Sequence, residues 1–193
     1  MTISKHLDRF AGKPVVDYEP SKPLRAPASQ ALRVKCEYRW GETSNENFTQ
    51  RMARLVNDPN AGKIQALIIG CWEGAWEGLT PDEPIEMLVG AREKLKGLKA
   101  LFFGDIVYTE YEISWIRQGD VSPLLGAYDK LEEFAVRGAG RLRIGHVTHR
   151  KLKRLTIQTG GLPWEILEEL SHCQFPALEQ LELWLGREEY GGN

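Results

Sequence analysis

The chain contains 193 residues, of which 42% are hydrophobic and 27% are charged, so it can bury a core and is not a disordered polypeptide. Its 25 basic and 27 acidic residues give a formal net charge of -2, which gives no sign of nucleic-acid binding. The apolar runs are far shorter than the roughly 18 residues of a membrane span, and the N-terminus lacks the apolar centre of a signal peptide. We therefore expect a cytoplasmic protein that binds neither nucleic acid nor membrane.

The first part of the chain, residues 1–30, is rich in proline, which interrupts helices. The prolines are Pro14, Pro20, Pro23 and Pro27. Only the segment Val15–Tyr18 has the composition of a short strand. These features indicate an N-terminal extended arm over residues 1–30, either loose or laid along the first element of a domain over residues 31–193.

Regular structure is expected to begin at Leu32, where apolar and polar residues alternate as far as Tyr38. A period of two residues is typical of a strand with one buried face. A helical pattern of apolar residues follows over residues 44–57, and Thr43 and Glu46 have the spacing of a capping box. The domain is thus predicted to start with a strand and a helix.

A second strand and a second helix are expected to follow. The continuous apolar run from Ile64 to Ile69 is typical of a parallel strand that is buried on both faces. Thr80, Pro81 and Glu83 have the pattern of a capped helix start, and Gly97 is placed to end that helix.

One pattern, with apolar residues at the first, fourth and sixth positions, recurs five times along the chain. The copies are Ile64, Leu67 and Ile69; Leu98, Leu101 and Phe103; Leu131, Phe134 and Val136; Leu152, Leu155 and Ile157; and Leu178, Leu181 and Leu183. The later copies are spaced as in the leucine-rich repeat, whose units span about 20–29 residues. Residues 64–185 therefore resemble a divergent leucine-rich repeat array. The stretch from His6 to Asp17 also resembles the start of a family of uncharacterised bacterial cytoplasmic proteins of this repeat type.

This resemblance implies an α/β fold, a right-handed solenoid with a curved parallel sheet of about six strands. Helices or extended connectors would lie on the convex side, with a helix over residues 163–172 and an extended connector over residues 141–149. One equivalent position of each copy would stack inside the solenoid. The stacked residues would be Leu101, Phe134, Leu155 and Leu181.

The turns depart from the pattern of the leucine-rich repeat family, which usually places Asn or Cys three residues after the third apolar position. Here those positions hold Trp72, Ile106, Ala139, Gly160 and Gly186. The turns are therefore expected to close through the backbone geometry of glycine.

The residues able to carry chemistry form no recognisable catalytic or metal-binding motif. Cys36, Cys71 and Cys173 are far apart and form no CxxC, which indicates reduced and mostly buried thiols. His146 and His149 lie three residues apart in a segment that is not helical, so we expect surface histidines and no metal site. We expect no cofactor.

Two loops that follow neighbouring strands are rich in aromatic and acidic residues. The first contains Trp72 and Trp76, in two Trp-Glu-Gly triplets, and the second contains Tyr108. The tryptophans either fold back over the core or anchor a partner. Since both loops leave the same edge of a parallel sheet, a shared contact surface is expected there.

The inner face of the sheet is the other candidate contact surface. Its candidate contact residues are Phe102, Arg137, Arg154, Gln158 and Trp184. Rigid strands with mixed polar and aromatic side chains suit protein recognition. The alternative is that the N-terminal arm covers Ile68 and Phe102.

We predict a non-catalytic protein–protein interaction module whose protein partner is unknown. The alternative is a small α/β enzyme with a site in the loops after the strand C-termini. Its candidate residues would be Asp105, Glu73, Glu110 and His146.

The last copy of the pattern is followed mostly by charged residues and glycines, so no amphipathic segment remains to cover the last strand. The chain is therefore either a shortened member of its family or a homo-oligomer that pairs through its C-terminal strand edge. In the second case Trp184 and Leu185 would lie at the contact between copies.

Overall fold

A computed structural model describes residues 2–36 and 46–192. Over these residues the fold is α/β, with a curled, mostly parallel sheet of eight strands that forms a half-barrel. The strands are β1 Arg9–Phe10, β2 Lys13–Asp17, β3 Ala31–Val34, β4 Ala66–Ile69, β5 Ala100–Phe103, β6 Glu133–Arg137, β7 Arg154–Gln158 and β8 Gln180–Leu183. They lie in the sheet in sequence order. The pair β1–β2 is antiparallel, and all neighbours from β2 to β8 are parallel.

The sheet has more strands than the six that the repeat pattern predicts, because the N-terminal arm contributes two. The expected extended piece Val15–Tyr18 overlaps β2, which pairs with β3 through Val15 and Ala31. The arm is therefore laid along the first strand of the domain and extends its sheet.

Four helices connect the strands in the described part of the chain. They are α1 Phe48–Asn57, α2 Asp82–Gly90, α3 Ser122–Ala127 and α4 Trp164–His172. Short 3₁₀ turns span Ala61–Lys63, Ala75–Glu77, Ile113–Trp115 and Glu188–Tyr190. The helix predicted over residues 163–172 is confirmed as α4, and residues 141–149 are free of helix as expected.

The capping predictions for α1 and α2 need correction. Helix α1 begins at Phe48, where Asn47 and Gln50 form the capping box, while Thr43 lies outside the described residues. At α2 the predicted cap is wrong, since the Thr80 hydroxyl donates to Oδ2 of Asp82 at 2.7 Å instead of accepting a helix N–H.

Gly97 does not end α2, which stops at Gly90. Its position requires glycine for another reason: a Cβ there would lie 2.5 Å from the carbonyl oxygen of Gly62. Glycine at position 97 therefore reflects the close approach of the backbone around Gly62 and does not mark the end of a helix.

The apolar pattern is confirmed as the register of the sheet. Leu67, Leu101, Phe134, Leu155 and Leu181 are direct neighbours on β4 to β8. The first four are fully buried, in the core between the helices and the face of the sheet that we call the outer face. The prediction is wrong for Leu181, which is 50% exposed because no strand of the described chain pairs with the far side of β8.

Glycine geometry closes two of the turns after the strands. Gly104 and Gly138, which directly follow β5 and β6, have φ values of 94° and 109°. A Cβ on Gly138 would lie only 2.6 Å from the Ile116 side chain, so both conformation and space require glycine. No helix among the described residues has the length and apolar character needed to cross a membrane.

Candidate functional site

The inner face of the sheet, opposite the helices, is divided into a covered and an uncovered part. Over β3 to β6 it carries small and apolar side chains that form a second core. These are Ala31, Ala66, Ile68, Ala100, Phe102 and Ala135. Phe10 of the arm packs over them, with its ring centroid 5.8 Å from that of Phe102. The alternative in which the arm covers Ile68 and Phe102 is thus correct, and Phe102 is removed from the candidate contact surface.

The uncovered part of the inner face lies on β6 to β8 and is polar. We call it the open face; its residues are Glu133, Arg154, Thr156, Gln158, Gln180, Glu182 and Trp184, all partly or well exposed. Arg154 Nη2 donates to Glu133 Oε2 at 2.6 Å, and the Trp184 indole donates to Glu182 Oε1 at 2.7 Å. The structure therefore brings three predicted contact residues together: Arg154 and Gln158 on β7, and Trp184 directly after β8.

Arg137 belongs to a buried charged group between the two parts of the inner face. Its Nη1 donates to Asp105 Oδ1 at 3.0 Å and to the carbonyl oxygen of Ile106 at 2.9 Å. Its Nε donates to Gln158 Oε1 at 2.9 Å, and the guanidinium carbon lies 5.1 Å from the centre of the Phe102 ring. With 2% of its surface exposed, Arg137 is not available to a partner, contrary to the prediction.

Asp105 is the centre of this group. It is fully buried directly after β5, where Arg33 of β3 also donates to it, from Nη1 to Oδ2 at 3.0 Å. Arg33 in turn donates from Nε to Asp17 at 2.6 Å. Although burial alone would raise the pKa of Asp105, His6 and the two arginines lower it, so the carboxylate stays ionised.

His6 of the arm joins Asp105 to Glu110. Its Nδ1 lies 3.4 Å from Asp105 Oδ2, and its Nε2 lies 3.3 Å from Glu110 Oε1. Lys35 Nζ lies 3.3 Å from the same Nε2 and 3.6 Å from Glu110 Oε1. Burial lowers the pKa of His6, but the two carboxylates outweigh it and raise the pKa to about 9. We call these seven side chains the charge cluster: Arg33, Arg137, His6, Lys35, Asp17, Asp105 and Glu110.

A shallow cleft of about 630 Å³ opens above His6, at the C-terminal ends of β3 to β5. We call it the His6 cleft; it is lined by Ser4, Lys5, His6, Asp8, Lys35, Val107, Thr109 and Glu110. The arm forms one wall, since the Tyr108 N–H donates to the carbonyl oxygen of Ile3 at 2.9 Å. Crevices beyond the C-terminal ends of parallel strands are where α/β proteins bind ligands.

The aromatic loops do not form the shared surface that their positions suggest. Trp72 is 1% exposed, its ring centroid lies 5.7 Å from that of Phe103, and its Nε1 donates to the carbonyl oxygen of Leu79 at 3.4 Å. Trp76 is partly buried against the main core. Folding back over the core is thus the correct alternative for Trp72, while Tyr108 is 51% exposed.

The candidate residues of the enzyme alternative do not meet in one site. Asp105 and Glu110 share the charge cluster, but Glu73 accepts from the Phe48 N–H at 2.6 Å, at the start of α1. His146 is exposed, with its ring 4.9 Å from that of His172. His149, by contrast, is buried, and its Nε2 lies 3.0 Å from the carbonyl oxygen of Tyr128.

Sequence reasoning missed four residues of these surfaces. Arg33 lies on β3 and Lys35 directly follows it, and the alternation of these two cations with Leu32 and Val34 is a signal that the sequence contains. The role of His6 has no local signal, because its partners lie about a hundred residues away in sequence. Trp115 is 62% exposed with its ring 5.9 Å from that of Tyr111, in a loop that the repeat pattern does not describe.

No protein-family model matches the chain, and no curated protein matches it. Among solved structures, the fold is similar to an uncharacterised protein from Bacteroides fragilis that was determined as a structural genomics target. The two are 34% identical with a TM-score of 0.73, over 82% of this chain and 44% of that protein. The chain therefore spans less than half the length of that protein, and the similarity supports the curled sheet.

Proposed function

We propose that this protein is a non-catalytic protein-interaction module and that its partner binds the open face of β6 to β8. The observation that carries the proposal is the division of the inner face. The arm covers its apolar part, so the surface left for contact is the polar and aromatic part.

The side chains of the open face suit protein recognition. Arg154 and Trp184 are of the residue types that most often contribute binding energy at interfaces. The Arg154–Glu133 pair keeps partial access to solvent, so a partner meets charges that are not yet fully desolvated. Arg154 and Glu133 stand on strands of the sheet, and Trp184 directly follows β8 and donates its backbone N–H to the carbonyl oxygen of Ile157 on β7 at 2.9 Å, so the sheet holds these groups more rigidly than loops would.

We also propose that the fold is a leucine-rich-repeat-like solenoid. In support, the five copies of the apolar pattern pair in register and in order on β4 to β8. Each unit buries its apolar edge against the next, which is how repeat proteins are stabilised. Concave faces of such arrays are commonly used for binding, so the fold class agrees with the proposed role.

A small α/β enzyme remains the alternative function, since Asp105, Glu110 and His6 lie at the strand C-termini. The pKa of His6 is raised to about 9, and the pKa values of Asp105 and Glu110 are lowered. These shifts favour groups that stay charged near neutral pH. General acid–base catalysis works best with a group that titrates near the working pH. Proton transfer by this cluster near neutral pH is therefore disfavoured.

Site-directed photocrosslinking in the native host tests the binding proposal. A benzophenone amino acid replaces Gln158 on the open face and, as the control, Glu168 on the exposed side of α4. We expect a discrete protein adduct from position 158 and none from 168. The purified partner should then lose affinity for Arg154→Gln but not for Lys153→Gln, the neighbouring cation that pairs with Glu132. Equal adducts at both positions, or binding unaffected by Arg154→Gln, would reject the open face.

A further inference from the structure

The His6 cleft brings two cations into contact. Lys35 Nζ lies 3.3 Å from His6 Nε2, and both ring nitrogens of His6 face a carboxylate oxygen, at 3.4 and 3.3 Å. These two carboxylates outweigh the effect of burial and raise the pKa of His6 to about 9, so the ring between them is an imidazolium at neutral pH. The lysine and histidine are therefore like charges in direct contact, and the single oxygen Glu110 Oε1 faces both of them, at 3.6 and 3.3 Å. A further anion beside Lys35 would reduce their repulsion.

Among the described residues, no oxygen lies within hydrogen-bonding distance of Lys35 Nζ. Its ammonium group has three hydrogen-bond donors. Glu110 Oε1 is 3.6 Å away, beyond hydrogen-bonding distance, and Glu110 Oε2 already accepts from the Val107 N–H at 3.1 Å. Within residues 2–36 and 46–192, no closer oxygen contacts Lys35 Nζ. Its side chain is nevertheless 24% exposed, toward the cleft.

The charge cluster as a whole carries an excess of one positive charge. Its four cations are Arg33, Arg137, His6 and Lys35, and its three anions are Asp17, Asp105 and Glu110. At the rim of the cleft the charges of Lys5 and Asp8 cancel. A cleft with a net positive charge and partly buried walls attracts anions.

We propose that the His6 cleft binds a small oxyanion, a carboxylate or a phosphate group, on the ammonium of Lys35. The oxygens of the ligand accept the hydrogen bonds that Lys35 does not make to oxygens of residues 2–36 and 46–192, and the positive charge of His6 lies directly beneath. The hydroxyls of Ser4 and Thr109, both exposed at the rim, are donors for a second oxygen. This site is on the strand C-termini and is independent of the open face.

Nuclear magnetic resonance titration of the whole chain tests this site. Sodium phosphate and sodium acetate are added separately at pH 7, with chloride keeping the ionic strength constant. We expect a saturable shift of the His6 imidazole and Lys35 amide signals, with a Kd of about 10 mM or lower for at least one of the two anions. The anion that binds more tightly identifies the phosphate or the carboxylate class.

Two lysine variants control for general electrostatic effects. Lys35→Gln should weaken the binding by about tenfold or more, since it removes a charged hydrogen-bond donor. Lys22→Gln changes an exposed lysine at a distance from the cleft and should leave the affinity unchanged. Matching melting curves show that both variants fold. The absence of saturable shifts with both anions, or equal affinities for wild type and Lys35→Gln, would overturn the proposal.

Discussion

Arg137 donates to Asp105 across 3.0 Å, and neither side chain has meaningful access to solvent. The two residues come from β6 and from the turn after β5. Together they join the covered part of the inner face to the open face, since Arg137 also donates to Gln158. The Arg137–Asp105 pair therefore holds the candidate contact residue Gln158 in position from beneath the open face.

Breaking this pair should destabilise the protein strongly. Arg137→Met leaves Asp105 buried with fewer cations around it, and we expect a loss of about 3–5 kcal/mol in the free energy of unfolding. Arg187→Met, at an exposed arginine paired with Glu189, should stay within about 0.5 kcal/mol of wild type. Urea unfolding followed by tryptophan fluorescence measures both. Equal effects of the two substitutions would show that Arg137 contributes no more than a surface arginine.

The fourth position of the apolar pattern should contribute more to the stability of the protein on β7 than on β8. Leu155 is fully buried, so Leu155→Ala should cost about 2–5 kcal/mol of unfolding free energy. Leu181 is half-exposed, and Leu181→Ala should cost about 1 kcal/mol or less. The comparison uses the same residue type at equivalent positions. A loss below about 1 kcal/mol for Leu155→Ala would place that residue near the surface.

Stability should fall as the pH rises through the titration range of His6. Its folded-state pKa of about 9 is above the ordinary value of 6.5. Its stabilising effect is therefore complete below pH 6.5 and is lost between pH 6.5 and about 9. Urea midpoints across this range should decline for wild type and stay nearly level for His6→Gln. Parallel curves for the two proteins would mean that His6 is not held as a cation.

The lowered pKa values of Asp105 and Glu110 should make the stability of the protein depend on pH under acidic conditions. Above the ordinary values of these groups their stabilising effect is complete, and it is lost as the pH falls through the folded-state values. Asp105→Asn should remove part of this acid sensitivity. Circular dichroism during acid titration measures the shift of the unfolding midpoint; identical midpoints for wild type and Asp105→Asn would contradict the assignment.

We propose that two copies of the chain associate through the edge of β8 that pairs with no other strand among the described residues. Leu181 and Leu185 are 50% and 59% exposed beside that edge, and exposed apolar edge strands favour pairing. Sedimentation across micromolar concentrations should show reversible association that Leu185→Lys abolishes. Leu79→Lys, at a leucine 55% exposed elsewhere, is the matched control and should associate as wild type does. A wild type that is monomeric throughout would reject this contact.

The order and register of the strands could be predicted because they depend on a local pattern that repeats. Leu101, Phe134 and Leu155 occupy the same position of three successive copies, and parallel pairing in sequence brings them side by side. The covering of Phe102 cannot be decided from the sequence, because two alternatives fit the same residues. Only the tertiary position of Phe10 decides between them.

The charge cluster could not be predicted from spacing. Asp105 and Glu110 were candidates for an enzyme, but their partner His6 comes from the arm, and no periodicity relates the two segments. The predicted cap at Thr80 is wrong for a different reason: the Thr80 hydroxyl donates to the carboxylate of Asp82, two residues away, and does not accept a helix N–H. Local rules were correct where one element decides the outcome and failed where distant segments meet.

The contact of the N-terminal arm with Asp105 also bears on how the chain folds. Leu7 and Asp105 are separated by 98 residues, whereas paired strands from β4 onward come from adjacent units of the sequence. Contacts between distant segments form late, because a large loop must close before they form. The sheet can thus assemble unit by unit from its middle, while docking of the first residues completes the molecule. In a polypeptide emerging from the ribosome β2 can pair with β3 early, whereas His6, Leu7 and Phe10 stay undocked until β5 and Asp105 have been made.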